Sequence, residues 1–391
     1  MIVNLHIENF RSLRNASLEL GRFTVLTGAN NSGKSSVLYA LQVLRNVVKN
    51  PNRSVDELLN LGFLNLSGLG ACIFNKDKQE SISLFIHSMN HPILTSYGFG
   101  IRMSEKGSTL LANSSGGPLD YSIHLRVSFP NPLDKVYVMR DLGIVWNGIH
   151  ASPLVEKAKA NLLQKQVIDG MNTPSTDIAA TDITPTHRGF SKPVFNQIPL
   201  NGTIQTEDEV ATHLAIDKNL QAKVSHYFEK ITGKRFSVLM GPGGGFFYLQ
   251  VREPDSPFTT ELVNQGMGVN QILFLLAKIL YDKNRLIGID EPEIHLHPSL
   301  MEKFISVLVE IAEKEDKQFV FSTHSEHWLM SLLAEVNDSH LKANDLKVYY
   351  LYREGPETKI ESQKVADNGQ LEGGLRNFLE AEMRLTQRFL D

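Results

Sequence analysis

One octapeptide limits what this chain can fold into more than any other feature. Gly28-Ala29-Asn30-Asn31-Ser32-Gly33-Lys34-Ser35 fits the phosphate-loop pattern G-x-x-x-x-G-K-[ST] at every position. Such a loop works only between a strand and a helix, where backbone N–H groups and the positive helix end converge on phosphate. Both flanks agree. Phe23-Thr24-Val25-Leu26-Thr27 is a short apolar run of the kind that forms a buried parallel strand. Behind the loop, Val37, Leu38, Leu41, Leu44, Val47 and Val48 recur at helical spacing. Lys34 is expected to reach the β- and γ-phosphates of a nucleotide, and the Ser35 hydroxyl to ligate magnesium. A glycine turn carrying lysine and serine by chance is the bland alternative, and it leaves both flanks unexplained.

A second constellation lies near the other end. Leu286-Ile287-Gly288-Ile289 reads as a buried strand whose carboxyl end carries Asp290 and Glu291, the edge at which open α/β sheets bind ligands. Asp290 suits a magnesium ligand and Glu291 a base that takes a proton from the attacking water. Asp-Glu-Pro is equally a helix-start signal, so an N-capping cluster stays open for this segment alone. Phe319-Val320-Phe321-Ser322-Thr323 is another apolar strand, followed by His324 and Ser325. A neutral imidazole there suits a hydrogen bond to γ-phosphate or to the attacking water, although a lone histidine is more often structural. Gln265-Gly266-Met267-Gly268-Val269-Asn270-Gln271 leads straight into an apolar helix, a second anion-binding helix start or a flexible turn before a core helix.

The order of these four segments resembles that of ABC-type ATPases, and in detail the RecF/SMC/OLD-related branch of that group. Ile7-Glu8-Asn9-Phe10-Arg11-Ser12-Leu13 is similar to the branch's opening strand, and Gly28 through Ser36 to its phosphate loop. Asp290-Glu291-Pro292-Glu293-Ile294-His295-Leu296-His297-Pro298 resembles its acidic segment, Ser322-Thr323-His324-Ser325 its switch, and Gly266–Gln271 its signature. The resemblance implies an α/β P-loop NTPase with ABC-ATPase head architecture. That means a mixed central sheet flanked by helices, with an antiparallel β subdomain and a helical insertion. It implies ATP and Mg2+ as cofactors, and a homodimer in which two chains sandwich two ATP molecules; assembly beyond a dimer stays open. Gly266, Gly268 and Asn270, with Gln271 in the same segment, would face the partner's γ-phosphate. Asn9, Phe10, Arg11 and Ser12 would lie near the base, ribose or phosphates, and Lys34, Glu291 and His324 would carry the catalysis. A glutamine for the family's Q-loop is not marked by any motif, Gln79 being one option. Ile183-Thr184-Pro185-Thr186-His187-Arg188-Gly189 faintly resembles a family segment that carries an arginine, and the role of Arg188 stays open.

Composition sets outer limits. The chain has 391 residues, 42% hydrophobic and 21% charged, in the range of ordinary folded proteins. A net charge of −4 gives no global basic signature for nucleic acid, although a local DNA-binding groove stays open. Cys72 is the only cysteine, which excludes an internal disulfide and fits a reducing cytoplasm. The apolar stretch 271–280 contains Lys278 and is followed by Tyr281-Asp282-Lys283, so a buried helix is expected there and no membrane partner.

Because both halves of the nucleotide site lie at opposite ends, the chain reads as one ATPase domain. Its core is expected from 1–130 and 262–391, with a helical and β insertion at 131–261. Ser81–His87 and Tyr121–Phe129 read as strands, Ala151–Gly170 as a helix, and 171–206 as a long loop or lid. Glu207–Thr232 reads as helical, and Phe236–Met240 with Phe246–Val251 as a hairpin whose tip is Gly241–Gly245. No heptad run is long enough for a coiled-coil arm. His295 and His297 lack further ligands for a metal and are expected to pack a loop. Glu313–Lys317 reads as a solvated helix end, and Leu375, Phe378, Leu379 and Met383 as an apolar stripe that packs on the core. The acidic metal-binding pattern of a Toprim nuclease domain does not follow His324. The leading expectation is therefore an ATP-driven dimerisation switch controlling a separately encoded effector, a nuclease or toxin, in bacterial antiphage defence. A RecF-like ATPase that clamps DNA and an ATP-clamped scaffold with negligible turnover are the alternatives.

Overall fold

The apolar run ahead of the phosphate loop forms the strand Phe23–Thr27, with every residue buried. The structure is a computed structural model that describes residues 1–90, 95–115, 123–130, 137–139, 142–154, 162–200 and 204–372. Two compact units divide the chain. The first comprises Met1–Gly21, Ala29–Ile183 and Tyr349–Glu361; the second comprises Arg22–Gly28, Thr184–Val348 and the chain from Ser362 onward.

At the centre of the second unit, Gln318–Thr323 pairs in parallel with Phe23–Thr27 on one side and with Leu286–Asp290 on the other. All three strands are wholly buried, which explains why they read as unbroken apolar runs instead of alternating ones. Their register is level: Asp290 lies opposite Ser322, and Thr323 opposite Thr27. Gly28, Glu291 and His324 therefore leave the sheet from one carboxyl edge. Phe319 stacks on Phe23 with ring centroids 5.2 Å apart and on Phe321 at 5.7 Å, while Trp328 meets Phe321 edge-on at 5.1 Å. The helices Met267–Leu280, Pro298–Lys314 and Glu326–Asn337 add to this core, as do Glu207–Ile216, Lys218–Thr232 and the strands Arg235–Met240 and Phe246–Arg252. Pro298 opens its helix, a first-turn place that suits proline, and the Ser325 hydroxyl caps the Glu326–Asn337 helix by accepting from the Trp328 N–H at 3.2 Å.

The first unit is built on an antiparallel sheet in the order Leu13–Glu19, Ile2–Phe10, Ile82–Asn90, Thr95–Ser104, Gly107–Ser115, Ile123–Phe129. Ile7, Leu84, Ile101 and Leu110 lie in one cross-strand row and are fully enclosed. Helices Lys34–Lys49 and Leu162–Ala179 cover that face. The Gly28–Ser35 loop thus ends in a helix whose Val37, Leu38, Leu41, Leu44 and Val47 are all buried, as their spacing predicts.

Several segments differ from the sequence reading. The helix expected over Ala151–Gly170 is a strand at Ala151–Pro153, and the helix runs over Leu162–Ala179. It continues past Gly170 and Pro174, two helix breakers, because both are buried in its packing face; a Cβ on Gly170 would strike the Tyr97 ring at 2.2 Å. Burial outweighs propensity here. Asn172 ties the helix to the preceding strand by bonding both the N–H and the C=O of Ala151, at 2.7 and 3.0 Å. The expected lid at 171–206 accordingly loses its stretch up to Thr184 to this helix and to the buried strand Thr181–Thr184. Glu207–Thr232 is two helices broken at Asp217, whose carboxylate caps the second one. Lys317 is not solvated: its ammonium is buried and donates to the carbonyls of Tyr281 and Asn284, and burial lowers its pKa to about 8. The C-terminal stripe Leu375, Phe378, Leu379 and Met383 lies outside the described residues. Among the described residues, no helix is long and apolar enough to cross a membrane.

The aromatic stack is expected to carry much of the stability of the parallel core. Phe321→Ala should cost about 3–5 kcal/mol in urea denaturation, the usual range for deleting a buried ring. A loss below about 1 kcal/mol, within the range of a surface substitution, would show that the stack is not what holds these strands.

Candidate functional site

In the first unit the loop Ala29–Ser36 is pinned from behind. The Thr358 hydroxyl donates to the carbonyl of Ser32 at 2.9 Å and lies 2.8 Å from the Ser12 hydroxyl; its backbone N–H donates to the Ser12 carbonyl. Gly33 has φ 101°, and a Cβ there would lie 2.6 Å from the Thr358 hydroxyl and 2.9 Å from that of Ser12. Glycine is required at this position on both counts. Ala29, Asn30 and Asn31 are exposed, Gly28 and Ser35 partly so, and Ser32, Lys34 and Ser36 are buried. The Lys34 ammonium donates to the Ala29 carbonyl across the loop at 2.9 Å. Of the neighbouring residues, Arg11 lies with its guanidinium 5.2 Å from the Tyr39 ring centroid, on the loop's own helix. Asn9 donates its amide to Ser81 and Glu80. Phe10 is fully enclosed, which corrects its expected role as a nucleotide contact: the ring belongs to the core.

In the second unit the acidic pair sits in a dense polar network. The Ser322 hydroxyl donates to Asp290 Oδ1 at 2.5 Å, orienting that carboxylate. Glu291 adopts left-handed backbone geometry, φ 50°, and its N–H donates to the Ser322 carbonyl at 2.7 Å. Its Oε1 lies 3.3 Å from Nε2 of His324, each side chain about a third exposed at 31% and 32%. Glu293, two residues on, accepts the backbone N–H of His324 at 2.9 Å. The base and the histidine expected from sequence are therefore in reach of each other, and a carboxylate holds the histidine's backbone.

Arg188 is the residue the sequence left without a role. Its Nη1 donates to the carbonyls of Pro185 at 3.0 Å and Asp290 at 2.6 Å, and its Nη2 to that of Glu291 at 2.7 Å. Only 7% of Arg188 is exposed. Burial lowers its pKa to about 10, against the pull of Glu293, Asp290 and Glu291, so it is charged at neutral pH. Left-handed geometry at a non-glycine residue costs about 1–3 kcal/mol. A hydrogen bond from a charged donor contributes about 1.5–3 kcal/mol, so the Arg188 fork outweighs the strain at Glu291.

The glycine-rich helix start divides into an open part and a buried part. Gly266 caps the Met267–Leu280 helix, and nothing lies within 4 Å of a Cβ built on it. A Cβ on Gly268 would instead lie 2.5 Å from the His295 carbonyl, so this glycine lets the helix pack on the acidic turn. Asn270 is 1% exposed; its amide accepts from the Phe190 N–H at 2.8 Å and donates to the Phe190 carbonyl at 2.9 Å. Gln271 is buried as well. Asn270 is thus corrected from an expected phosphate contact to an internal brace and Gln271 to a buried residue, and Gly266 is the exposed member of the set. His297 caps the next helix by accepting from the Ser299 N–H, and no metal-binding group of three such side chains occurs among the described residues.

The sequence profile described as "AAA ATPase domain" matches residues 1–108 and 152–329, and the chain belongs to this family. Among curated proteins it is similar to the OLD nuclease of Thermus scotoductus, 26% identical over 355 residues, which make up 86% of this chain and 60% of that protein. It is also similar to the Old nuclease of Escherichia phage P2, 24% identical over 353 residues, or 83% of this chain and 56% of that one. The chain therefore spans less than two thirds of the length of either nuclease. Among solved structures, an Smc head bound to the C-winged helix domain of ScpA aligns over 93% of this chain and 98% of its own, with TM-score 0.50 and 14% identity. An Smc head with an extended coiled coil, bound to the C-terminal domain of ScpA derived from Pyrococcus furiosus, aligns over 100% of this chain and 99% of its own, with TM-score 0.51 and 12% identity. The fold is thus that of an SMC head-like ATPase, carried by a chain of the AAA ATPase domain family that is similar to the OLD nucleases.

The two glycines of the helix start should respond differently to one methyl group. Gly268→Ala should lose about 1–3 kcal/mol of stability in thermal melting, the usual cost of overpacking. Gly266→Ala meets no clash and should lose less, up to about 1 kcal/mol, the cost of a poorer helix cap. Equal effects would remove the distinction between open and packed positions.

Proposed function

We propose that this member of the AAA ATPase domain family binds ATP with Mg2+ and hydrolyses it, closing into an ATP-bridged homodimer that controls a nuclease or toxin effector in antiphage defence. The observation that supports this reading most is the level register of the parallel strands. Asp290 ends one strand, His324 follows another, and Gly28 opens the phosphate loop after the third, all at one edge. The donors also suit the metal: a Ser35 hydroxyl and an Asp290 carboxylate are hard oxygen ligands of the kind magnesium takes. Bound there, Mg2+ would neutralise charge on the phosphate oxygens.

The remaining chemistry falls to named side chains. Lys34 exchanges its contact with the Ala29 carbonyl for the β- and γ-phosphates. Glu291 takes a proton from water as that oxygen bonds to the γ-phosphorus; the bond to the β–γ bridging oxygen breaks, leaving ADP and phosphate. His324 hydrogen-bonds the γ-phosphate or the water and holds Glu291 in place through its 3.3 Å contact. The exposed Gly266 end of the Met267–Leu280 helix offers N–H groups to the γ-phosphate of the partner chain. ATP then stabilises the closed dimer by binding it more tightly than the open form, and hydrolysis releases it. The nuclease link rests on the likeness to two proteins named OLD nuclease. A cytoplasmic setting rests on the single, buried Cys72.

Steady-state turnover tests the reading. Glu291→Gln should keep ATP affinity while losing about a hundredfold or more in kcat, the usual weight of a general base. Lys34→Ala should lose ATP binding in an equilibrium titration. Undiminished turnover in Glu291→Gln, or unchanged affinity in Lys34→Ala, would overturn the assignment of that residue.

A further inference from the structure

The carboxylate of Glu291 points where its backbone sends it, and that backbone is held from three sides. Its N–H is bonded to Ser322, its carbonyl to Arg188, and the preceding carbonyl of Asp290 to the same guanidinium. Ser322 belongs to the neighbouring strand and follows from sheet register. Arg188 does not: it reaches the turn from a loop more than a hundred residues away in sequence. A buried charge with its fork spent on two successive carbonyls is a costly device for mere packing, since an apolar side chain would fill the space without desolvating a cation.

The loop that carries Arg188 is itself anchored. The Pro185 carbonyl accepts from Arg188 within the loop, and Phe190 has both its N–H and its C=O taken by Asn270. Phe190 also packs edge-on against Phe195 and Phe274. Asn270 lies one turn inside the helix whose exposed end is Gly266. A chain of contacts therefore runs from the glycine-rich helix start through Asn270 and Phe190 to Arg188, and from there to the backbone of Glu291.

We propose that Arg188 is a positioning residue for ATP hydrolysis: its guanidinium fixes the left-handed turn at Glu291 and so aims the base. This proposal rests on the reading of Glu291 as that base. Arg188 is buried with its fork on the carbonyls of Asp290 and Glu291, and it acts through these two residues. Losing the fork lets the turn relax toward ordinary backbone geometry and moves the carboxylate; a displacement of about 1 Å costs on the order of a hundredfold in rate.

The test is a double-mutant cycle on the full chain. Arg188→Met and Arg188→Lys are made in wild type and in Glu291→Gln; single-turnover hydrolysis, steady-state kcat and KM for ATP, and thermal melting are measured. Arg188→Met is expected to lower kcat by about 10–100-fold, with KM within about threefold of wild type and no further loss in Glu291→Gln. Arg188→Lys keeps the charge but not the fork, and should also lose rate. If Arg188→Met does not fold, Arg188→Lys decides. A wild-type kcat in the folded variant, a rise in KM with kcat unchanged, or an equal further loss in the Glu291→Gln background would overturn the positioning role. Normal turnover in Glu291→Gln would instead overturn the base assignment, and this proposal with it.

Discussion

Parallel pairing of the strand Gln318–Thr323 with a neighbour on each side is the constraint on which the rest depends. Parallel strands cannot be joined by a tight turn, so each pairing needs a crossover, here a helix between Asp290 and Gln318 and most of the chain between Thr27 and Gln318. Level register then makes a single edge from Thr27, Thr323 and Asp290. Each residue beyond that edge, Gly28, His324 and Glu291, belongs to a different stretch of sequence and carries a different part of the proposed chemistry. A one-residue slip in either pairing would move a carboxylate or an imidazole by about 3.3 Å and turn it to the other face of the sheet. The stacked Phe23, Phe319 and Phe321 rings oppose such a slip, because the rings meet in this register.

Strain is concentrated at one point of that edge. Glu291 sits in a backbone region that glycine adopts freely and glutamate only at a cost, and the molecule holds it there with Ser322 and Arg188. Glycine at the same place would remove the strain together with the carboxylate, so the residue type is set by chemistry and the backbone by its neighbours. The converse occurs at Gly268 and Gly33, where close approach of the His295 carbonyl and of the Thr358 hydroxyl leaves no room for any side chain.

Much of this is legible in the sequence alone. The strand at Phe23–Thr27, the helix behind Lys34, the strands ending at Asp290 and Thr323 and the Met267–Leu280 helix each carry a local pattern that tertiary structure had no reason to override. What was not legible depended on contacts distant in sequence. Lys317 looks like the end of a charged helix, and only the carbonyls of Tyr281 and Asn284 bury it. Pro174 looks like a breaker, and only packing carries a helix through it. Asn270 looks like a phosphate contact, because its motif does not reveal that Phe190 has taken its amide. Arg188 and Thr358 had almost no local signal: each works by reaching a backbone carbonyl of a distant turn, and carbonyls leave no trace in a sequence.

The proposed switch turns on whether ATP joins two copies of this chain. The most direct measurement is the mass of Glu291→Gln in solution by light scattering, with and without Mg-ATP, over a range of protein concentrations, beside the same protein carrying Gly266→Asp. The account predicts a shift from monomer to dimer on adding Mg-ATP, and no shift when an aspartate at the exposed helix start meets the partner's phosphate. A mass that does not change with nucleotide, or a dimer indifferent to Gly266→Asp, would contradict it.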